Sequence, residues 1–271
     1  MMVDQPLQAL VYACYKSGST ALFQAIRGRM AGAVHEIFEP ASLEFFDEPF
    51  QGPVCAKIIS SLEVDWAELK RQLPGLFPIV LVRDPRDVIV SALFFRPQQQ
   101  SLNAWRDEER LHALHARLQT KLNHPTSTSL LEVFEYPFTQ KDLSAWMTTN
   151  YGRLESALKS GAREVRYDDL IENRLEELWK ELGLPLEPLG SDDRWSHVPR
   201  TKRSGSWRRW LNEADVDWLR EAVDPVLAQW PWMSNNWTLE ANPKLTRAES
   251  VEYIRRTVNL RRIQAGMTEW K

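Results

Sequence analysis

The segment Tyr15-Lys16-Ser17-Gly18-Ser19-Thr20 constrains this chain most. Before it, Leu7 to Ala13 is short and uncharged and reads as a buried strand. After it, Leu22, Ile26 and Met30 recur four apart within Ala21–Met30, as on one face of a helix. A strand, a tight turn of small residues and a helix start bring free backbone N–H groups and the positive end of the helix dipole to one point. That arrangement suits phosphate. Lys16 adds a point charge, and Ser19 and Thr20 add hydroxyl donors. The same pattern also fits a strand-to-helix turn that simply carries good capping residues. No Gly-Lys-Ser/Thr closes the turn, so it is not a Walker A loop, and a phosphorylated ligand would not be held as in an ATPase.

Strand and helix signals alternate along the rest of the chain, which predicts a central, mostly parallel sheet flanked by helices. The expected strands are Leu7–Ala13, Val54–Ile59, Ile79–Val82 and Glu164–Tyr167. Expected helices cover Ser19–Met30, Asp65–Leu73, Pro85–Phe95, Leu102–Leu122, Lys141–Ser160, Asp168–Leu182 and Ala214–Gln229. Residues 97–150 read as a helical excursion from the sheet, punctuated by Pro97-Gln98-Gln99-Gln100 and His124-Pro125-Thr126-Ser127. No repeat and no clear boundary divides the 271 residues, so a single domain is expected, with a charged, amphipathic tail from Asn242 to Lys271. That tail suits packing on the body or a homodimer contact.

Composition excludes several classes. There is no apolar run of about 18 residues, so no transmembrane helix is expected. Met1 to Leu10 lacks the basic-then-apolar layout of a secretion signal, which favours a cytoplasmic protein. A net charge of −3 argues against general nucleic-acid binding. Cys14 and Cys55 read as small buried thiols. His112 and His115 have loose ligand spacing but no accompanying Cys or carboxylate pattern, so no metal site is expected.

Two further segments suit anions. Ile79-Val80-Leu81-Val82 runs into Arg83-Asp84-Pro85-Arg86-Asp87-Val88-Ile89-Val90-Ser91. Asp84 suits the N-cap of the following helix, Pro85 its first position and Asp87 its dipole. Arg83 then stands at the carboxyl edge of the sheet, where open α/β folds bind ligands. With Ser91 on the next helix, it can hold a phosphate. Alternatively, Arg83 pairs with a local carboxylate. The third segment, Arg200-Thr201-Lys202-Arg203-Ser204-Gly205-Ser206-Trp207-Arg208-Arg209-Trp210, holds five basic residues and no acid. It reads as a flap over phosphates or as a solvated basic loop.

Together these segments resemble the sulfotransferases that use 3′-phosphoadenosine 5′-phosphosulfate (PAPS), the bacterial and carbohydrate-type members more than the cytosolic aryl type. Tyr15–Thr20 is similar to that family's 5′-phosphosulfate loop. Arg83 to Ser91 is similar to its 3′-phosphate motif. Tyr167-Asp168-Asp169-Leu170 with Glu172-Asn173 resembles the segment whose Tyr meets adenine. Gly205-Ser206-Trp207-Arg208 resembles the Gly-x-Trp-Lys end of its closing loop. The resemblance covers about residues 7–211 and implies a P-loop-like three-layer α/β fold whose excursion serves the acceptor side. It implies PAPS as sulfuryl donor and adenosine 3′,5′-bisphosphate (PAP) as product, without a metal. Lys16, Ser17, Gly18, Ser19, Thr20, Arg83, Ser91, Tyr167, Arg200, Thr201, Lys202 and Arg203 would bind the nucleotide.

The chain departs from the family in two places. Arg200-Thr201-Lys202 stands where Arg-Lys-Gly is usual. Lys57 is followed by Ile58-Ile59, where the aryl and steroid enzymes carry Lys-Thr-His. The base must then lie elsewhere. In Val34-His35-Glu36-Ile37-Phe38-Glu39-Pro40, Glu36 is the first candidate, His35 the second and Glu39 the third. Lys57 would assist on the sulfuryl oxygens, and the missing His leans toward a carbohydrate, glycolipid or small-metabolite hydroxyl as acceptor. Trp105, Phe94, Phe95, Trp146 and Tyr151 are candidates for the acceptor wall, although aromatics at helical spacing are mostly core residues. The alternatives are a non-catalytic relative that binds PAP or a sulfated ligand, and a P-loop small-molecule kinase.

Overall fold

The computed structural model describes residues 6–46, 50, 52–99, 103–189 and 203–271. In chain order its elements are β1 (Gln8–Ala13), α1 (Ser19–Arg27), β2 (His35–Phe38), β3 (Val54–Ile59), α2 (Trp66–Gln72) and β4 (Leu76–Val82). There follow α3 (Pro85–Phe95), α4 (Glu108–Asn123), α5 (Leu130–Val133), α6 (Gln140–Lys159), β5 (Arg163–Arg166), α7 (Tyr167–Ile171) and α8 (Glu176–Glu181). The remaining helices are α9 (Trp207–Trp210), α10 (Glu213–Gln229) and α11 (Val251–Gln264). They fall into two compact units, Met1–Arg83 with Thr148–Val198 and Asp84–Met147 with Pro199–Lys271. The chain changes unit between Arg83 and Asp84, directly from strand to helix, and again inside α6. Neither of these two crossings uses a linker, so composition carries no sign of them; the third, between Val198 and Pro199, lies outside the described residues.

The first unit is the α/β body that the alternation predicts. Its five-stranded sheet has the order β2-β3-β1-β4-β5, and every pairing is parallel. Parallel strands buried on both faces need near-continuous apolar sequence. Accordingly β1, β3 and β4 hold Ala9, Leu10, Val11, Cys55, Ala56, Ile79, Val80 and Leu81 at zero exposure. Ala13 pairs with Ile59 on one side and Leu81 on the other, so three strands end together at one edge. On one face, Leu22, Phe23 and Ile26 of α1 pack with Leu178 and Trp179 of α8 over Ala9, Val11 and Ala13. Tyr12 meets Trp66 edge-on at 5.1 Å and donates its hydroxyl to the Leu62 carbonyl at 2.8 Å. Cys14 and Cys55 are buried and unpaired with each other, as expected, and burial pushes both thiols up to about 12.

Two local differences have physical causes. The edge strand β2 is only four residues long and mostly half-buried or exposed, so it leaves no alternating pattern to read. The single helix expected over Asp168–Leu182 is two, α7 and α8, because Asn173 takes a left-handed conformation (φ 57°) and ends the first.

The second unit is helical. Phe94 of α3 packs edge-to-face on Phe134 at 5.1 Å and on Trp210 at 4.7 Å. The tail helix α11 is fastened by buried Arg262, which donates to the Trp105 carbonyl at 3.1 Å and pairs with Glu108. Asp215, 1% exposed, joins three segments. It accepts from the Ser129 hydroxyl, the Leu130 N–H at 2.8 Å, the Leu131 N–H at 3.1 Å and the Asn212 N–H at 3.0 Å. Among the described residues no helix is long and apolar enough to cross a membrane.

Removing a carboxylate that satisfies four donors strands them all. Asp215→Ala is expected to cost about 3 kcal/mol or more, read as a drop in the urea midpoint followed by circular dichroism. A change under about 0.5 kcal/mol would mean that solvent replaces it.

Candidate functional site

The turn after β1 is built by conformation as much as by charge. Ser17 N–H closes it onto the Cys14 carbonyl at 3.2 Å. Lys16 (φ 62°) and Gly18 (φ 96°) both sit in the left-handed region. A Cβ on Gly18 would lie 2.6 and 2.8 Å from ring carbons of Tyr167, so this position needs glycine for space as well as for φ. The first turn of α1 holds no acid, and Gly18 offers no side-chain cap. The Ser17 hydroxyl is buried without a hydrogen-bond partner. The positive helix end, the uncapped turn and the orphan hydroxyl are what an anion would satisfy.

Three cations gather at this turn. Arg83, the residue after β4, is 6% exposed. It donates through Nη1 to the Lys16 carbonyl at 3.0 Å and stacks over the Tyr167 ring at 4.1 Å. Its Nε is buried without a partner. Tyr151 fixes the backbone there, donating to the Arg83 carbonyl at 2.7 Å. Lys57 comes from inside the sheet, where it pairs with Val11 on one side and Phe38 on the other. It is 2% exposed, donates to the Thr20 hydroxyl at 2.8 Å, lies 4.2 Å from the Phe38 ring centre and forms an ion pair with Glu39. Burial pulls the Lys57 pKa down, with Glu39 acting against it. Lys16 is held down at about 7, first by burial and then by the positive charges of Arg83 and Lys57, with Glu39 opposing.

Glu39 is therefore the carboxylate that reaches the turn. It follows β2 directly, and its N–H donates to the Lys57 carbonyl at 2.9 Å. Its φ of 49° is uncommon for a residue with a side chain. The two candidates ranked ahead of it are placed elsewhere. His35 opens β2 opposite Val54, the first residue of β3, and lies exposed beside the Phe50 ring at 5.6 Å. That is four residues, about 13 Å of strand, from Glu39. Glu36 accepts Arg27 Nε at 2.8 Å. Arg27 is the last residue of α1, about 12 Å along the helix axis from Ser19.

The Arg83–Ser91 segment continues into the second unit, which also holds the basic segment. Asp84 caps α3 by accepting the Arg86 N–H at 2.9 Å, with Pro85 at the first helical position. Ser91 is half-buried on α3. Arg203 is exposed and pairs with Glu249, which also binds Arg209 at 3.1 Å. Arg200, Thr201 and Lys202 lie outside the described residues. Of the aromatics considered for an acceptor wall, Trp105, Phe94 and Tyr151 are core residues, while Phe95 and Trp146 are half-buried. His112 and His115 both lie 6.1 Å from the Trp270 ring. Among the described residues no group of three His, Cys, Asp or Glu side chains is arranged to hold a metal ion.

No family model matches the chain, and no curated protein matches it significantly. Among solved structures, mouse sulfotransferase SULT7A1 complexed with PAP is similar at a TM-score of 0.47 and 12% identity, covering 84% of this chain and 86% of that one.

Gly18→Ala tests the turn directly. The methyl group meets the Tyr167 ring and strains φ, so a loss of about 2–3 kcal/mol is expected in chemical denaturation. Combined with Tyr167→Ala, which vacates the space, the loss should be clearly less than additive. Full additivity would mean that the two residues are independent.

Proposed function

We propose that this protein is a PAPS-dependent sulfotransferase that acts on an acceptor hydroxyl of a carbohydrate, glycolipid or small metabolite. The observation that carries the reading is the turn itself. Lys16, Lys57 and Arg83 converge there with two buried donors, Ser17 Oγ and Arg83 Nε, that have no partner in the protein. Buried donors without acceptors are costly, and a phosphate or sulfate oxygen is the acceptor that this charge balance fits. The residues present therefore suit a nucleotide phosphosulfate. The sequence resemblance supplies the finer identity, with Ser91 and the segment from Arg200 to Arg203 as further ligands of the nucleotide.

PAPS, when bound, supplies a sulfuryl group on a 5′-phosphate leaving group. Lys16 and the turn N–H groups stabilise the negative charge that grows on that phosphate as the bond breaks. Lys57, buried and fixed by Thr20, is poised for the equatorial oxygens of the group in flight. Glu39, paired with Lys57, receives the acceptor hydroxyl proton. Arg83 holds the donor through a phosphate and not through the transferred group, converting binding into orientation. Thr20 and Phe38 keep the Lys57 stem immobile, so little reorganisation is needed during the step.

Calorimetric titration with PAP, against ADP and ATP, tests the reading. PAP should bind at least tenfold more tightly than ADP; equal affinities would sink it. Lys16 also imposes a pH dependence. In the free protein it is neutral above about 7, and an incoming phosphate raises its pKa again. PAP affinity should therefore fall as pH rises from about 7 to 9, with uptake of close to one proton per site. Lys16→Ala should abolish the uptake.

The base assignment separates two glutamates. Glu39→Gln should lower kcat about 100-fold or more while PAP binding persists, and Glu36→Gln should leave turnover within about threefold. The reverse pattern would return the role to Glu36.

A further inference from the structure

The last ladder partner on β4 is Val82, opposite Arg166, so Arg83 brings its guanidinium to the turn from just outside the sheet. A buried carbonyl at that point needs a donor that the ladder no longer supplies. Tyr151 supplies it. The side chain has zero exposure, and its hydroxyl donates to the Arg83 carbonyl at 2.7 Å. The guanidinium is gripped separately, by the Lys16 carbonyl at 3.0 Å and by the Tyr167 ring at 4.1 Å. Arg83 is thus held at both ends, with Nε left over.

The preceding residue of α6 acts on the neighbouring strand ends. Asn150, 4% exposed, accepts the Ser60 hydroxyl at 2.7 Å. Ser60 follows β3 immediately, donates its N–H to the Ala13 carbonyl at 2.9 Å, and has its Oγ 3.5 Å from Cys14 Sγ. Cys14 is the residue whose carbonyl accepts the Ser17 N–H and so closes the turn. Three residues after Asn150, Arg153 donates to the Ser60 carbonyl at 3.0 Å and the Ser61 carbonyl at 2.7 Å. Asn150–Arg153 thus fasten the ends of β3 and β4, which flank β1 and the turn that leaves it. All of these residues lie in the first unit. Apolar side chains at 150 and 151 would serve packing alone. Two consecutive buried polar groups are costly unless their hydrogen bonds specify a geometry.

We propose that Asn150 and Tyr151 are positioning residues for the anion turn: Tyr151 sets the guanidinium of Arg83, and Asn150, through Ser60, sets the end of β1 from which the turn departs. Neither residue touches the ligand. The inference rests on the reading that a nucleotide phosphate lies at the turn. Fixing the cation and the turn before the ligand arrives raises affinity by removing the ordering cost from the binding step.

The test uses the full chain, with PAP titrated well below each variant's unfolding midpoint. Tyr151→Phe deletes one hydroxyl and should weaken PAP binding about tenfold. In an Arg83→Ala background the same change should weaken it by less than about twofold, because the effect runs through Arg83. Ser60→Ala, which deletes the hydroxyl that Asn150 accepts, should weaken PAP binding about threefold. If Tyr151→Phe lowers only the melting temperature, or weakens PAP binding equally in both backgrounds, the hydroxyl is merely structural and the proposal is overturned. Should Tyr151→Phe fail to fold, Ser60→Ala decides, and unchanged affinity overturns the proposal. An unaltered protein that binds PAP no better than ADP overturns the sulfotransferase reading alone. The same cycle with inorganic pyrophosphate then decides the positioning role, and pyrophosphate that does not bind overturns that role as well.

Discussion

A lysine in the interior of a parallel sheet is the constraint around which the first unit is arranged. Lys57 occupies a position where its neighbours in β3, Ala56 and Ile58, are almost wholly buried, and an isolated ammonium there would cost several kcal/mol. Two groups remove that cost. Thr20 comes from the first turn of α1, and Glu39 from the end of β2. Each fixes an element. β2 must be in register so that Phe38 lies beside Lys57 and Glu39 emerges at the carboxyl edge. A slip of one residue would exchange the faces of Ile37 and Phe38 and take the carboxylate away. The buried ammonium thus stands directly beside the turn at Lys16–Thr20.

Arg83 does for the turn what Glu39 does for Lys57. Its bond to the Lys16 carbonyl holds a residue of positive φ, and its stacking on Tyr167 presses that ring against Gly18. The result is a turn with an excess of positive charge and hydroxyl and guanidinium donors left unanswered by the protein. Lys16 is driven to about 7 first by burial, and the positive charges of Arg83 and Lys57 add to that shift. An arrangement of this kind is stable only as far as surrounding packing over-determines it. The apolar contacts of α1 and α8 with β1 provide that packing.

The second unit applies a related device with the opposite sign. Asp87 and Asp215 are buried carboxylates, and each is made tolerable by backbone N–H groups at the start of a helix or turn. Both tie together segments far apart in sequence. Side-chain acceptors are used because short helices such as α5 and α9 cannot satisfy their own first N–H groups.

Local sequence determined much of this protein. The strands β1, β3 and β4, the turn at Tyr15–Thr20 and the capped start of α3 are written in short contiguous patterns, where apolar runs, small residues and an Asp-Pro pair act on their immediate neighbours. Lys16, Lys57 and Arg83 stood out as candidate site residues for the same reason: each lies in or just after a recognisable strand. Tertiary structure alone decided which carboxylate joins them. Glu36 and Glu39 are equivalent by composition and proximity, but pairing of β2 against β3 sends one to Arg27 at the far end of α1 and the other to Lys57. It also decided that Asp87, by sequence an ordinary dipole complement, is enclosed by Gly205–Trp207. Those outcomes depend on contacts between residues distant in the chain, and no local pattern of charge or hydrophobicity encodes the register or the docking that produces them.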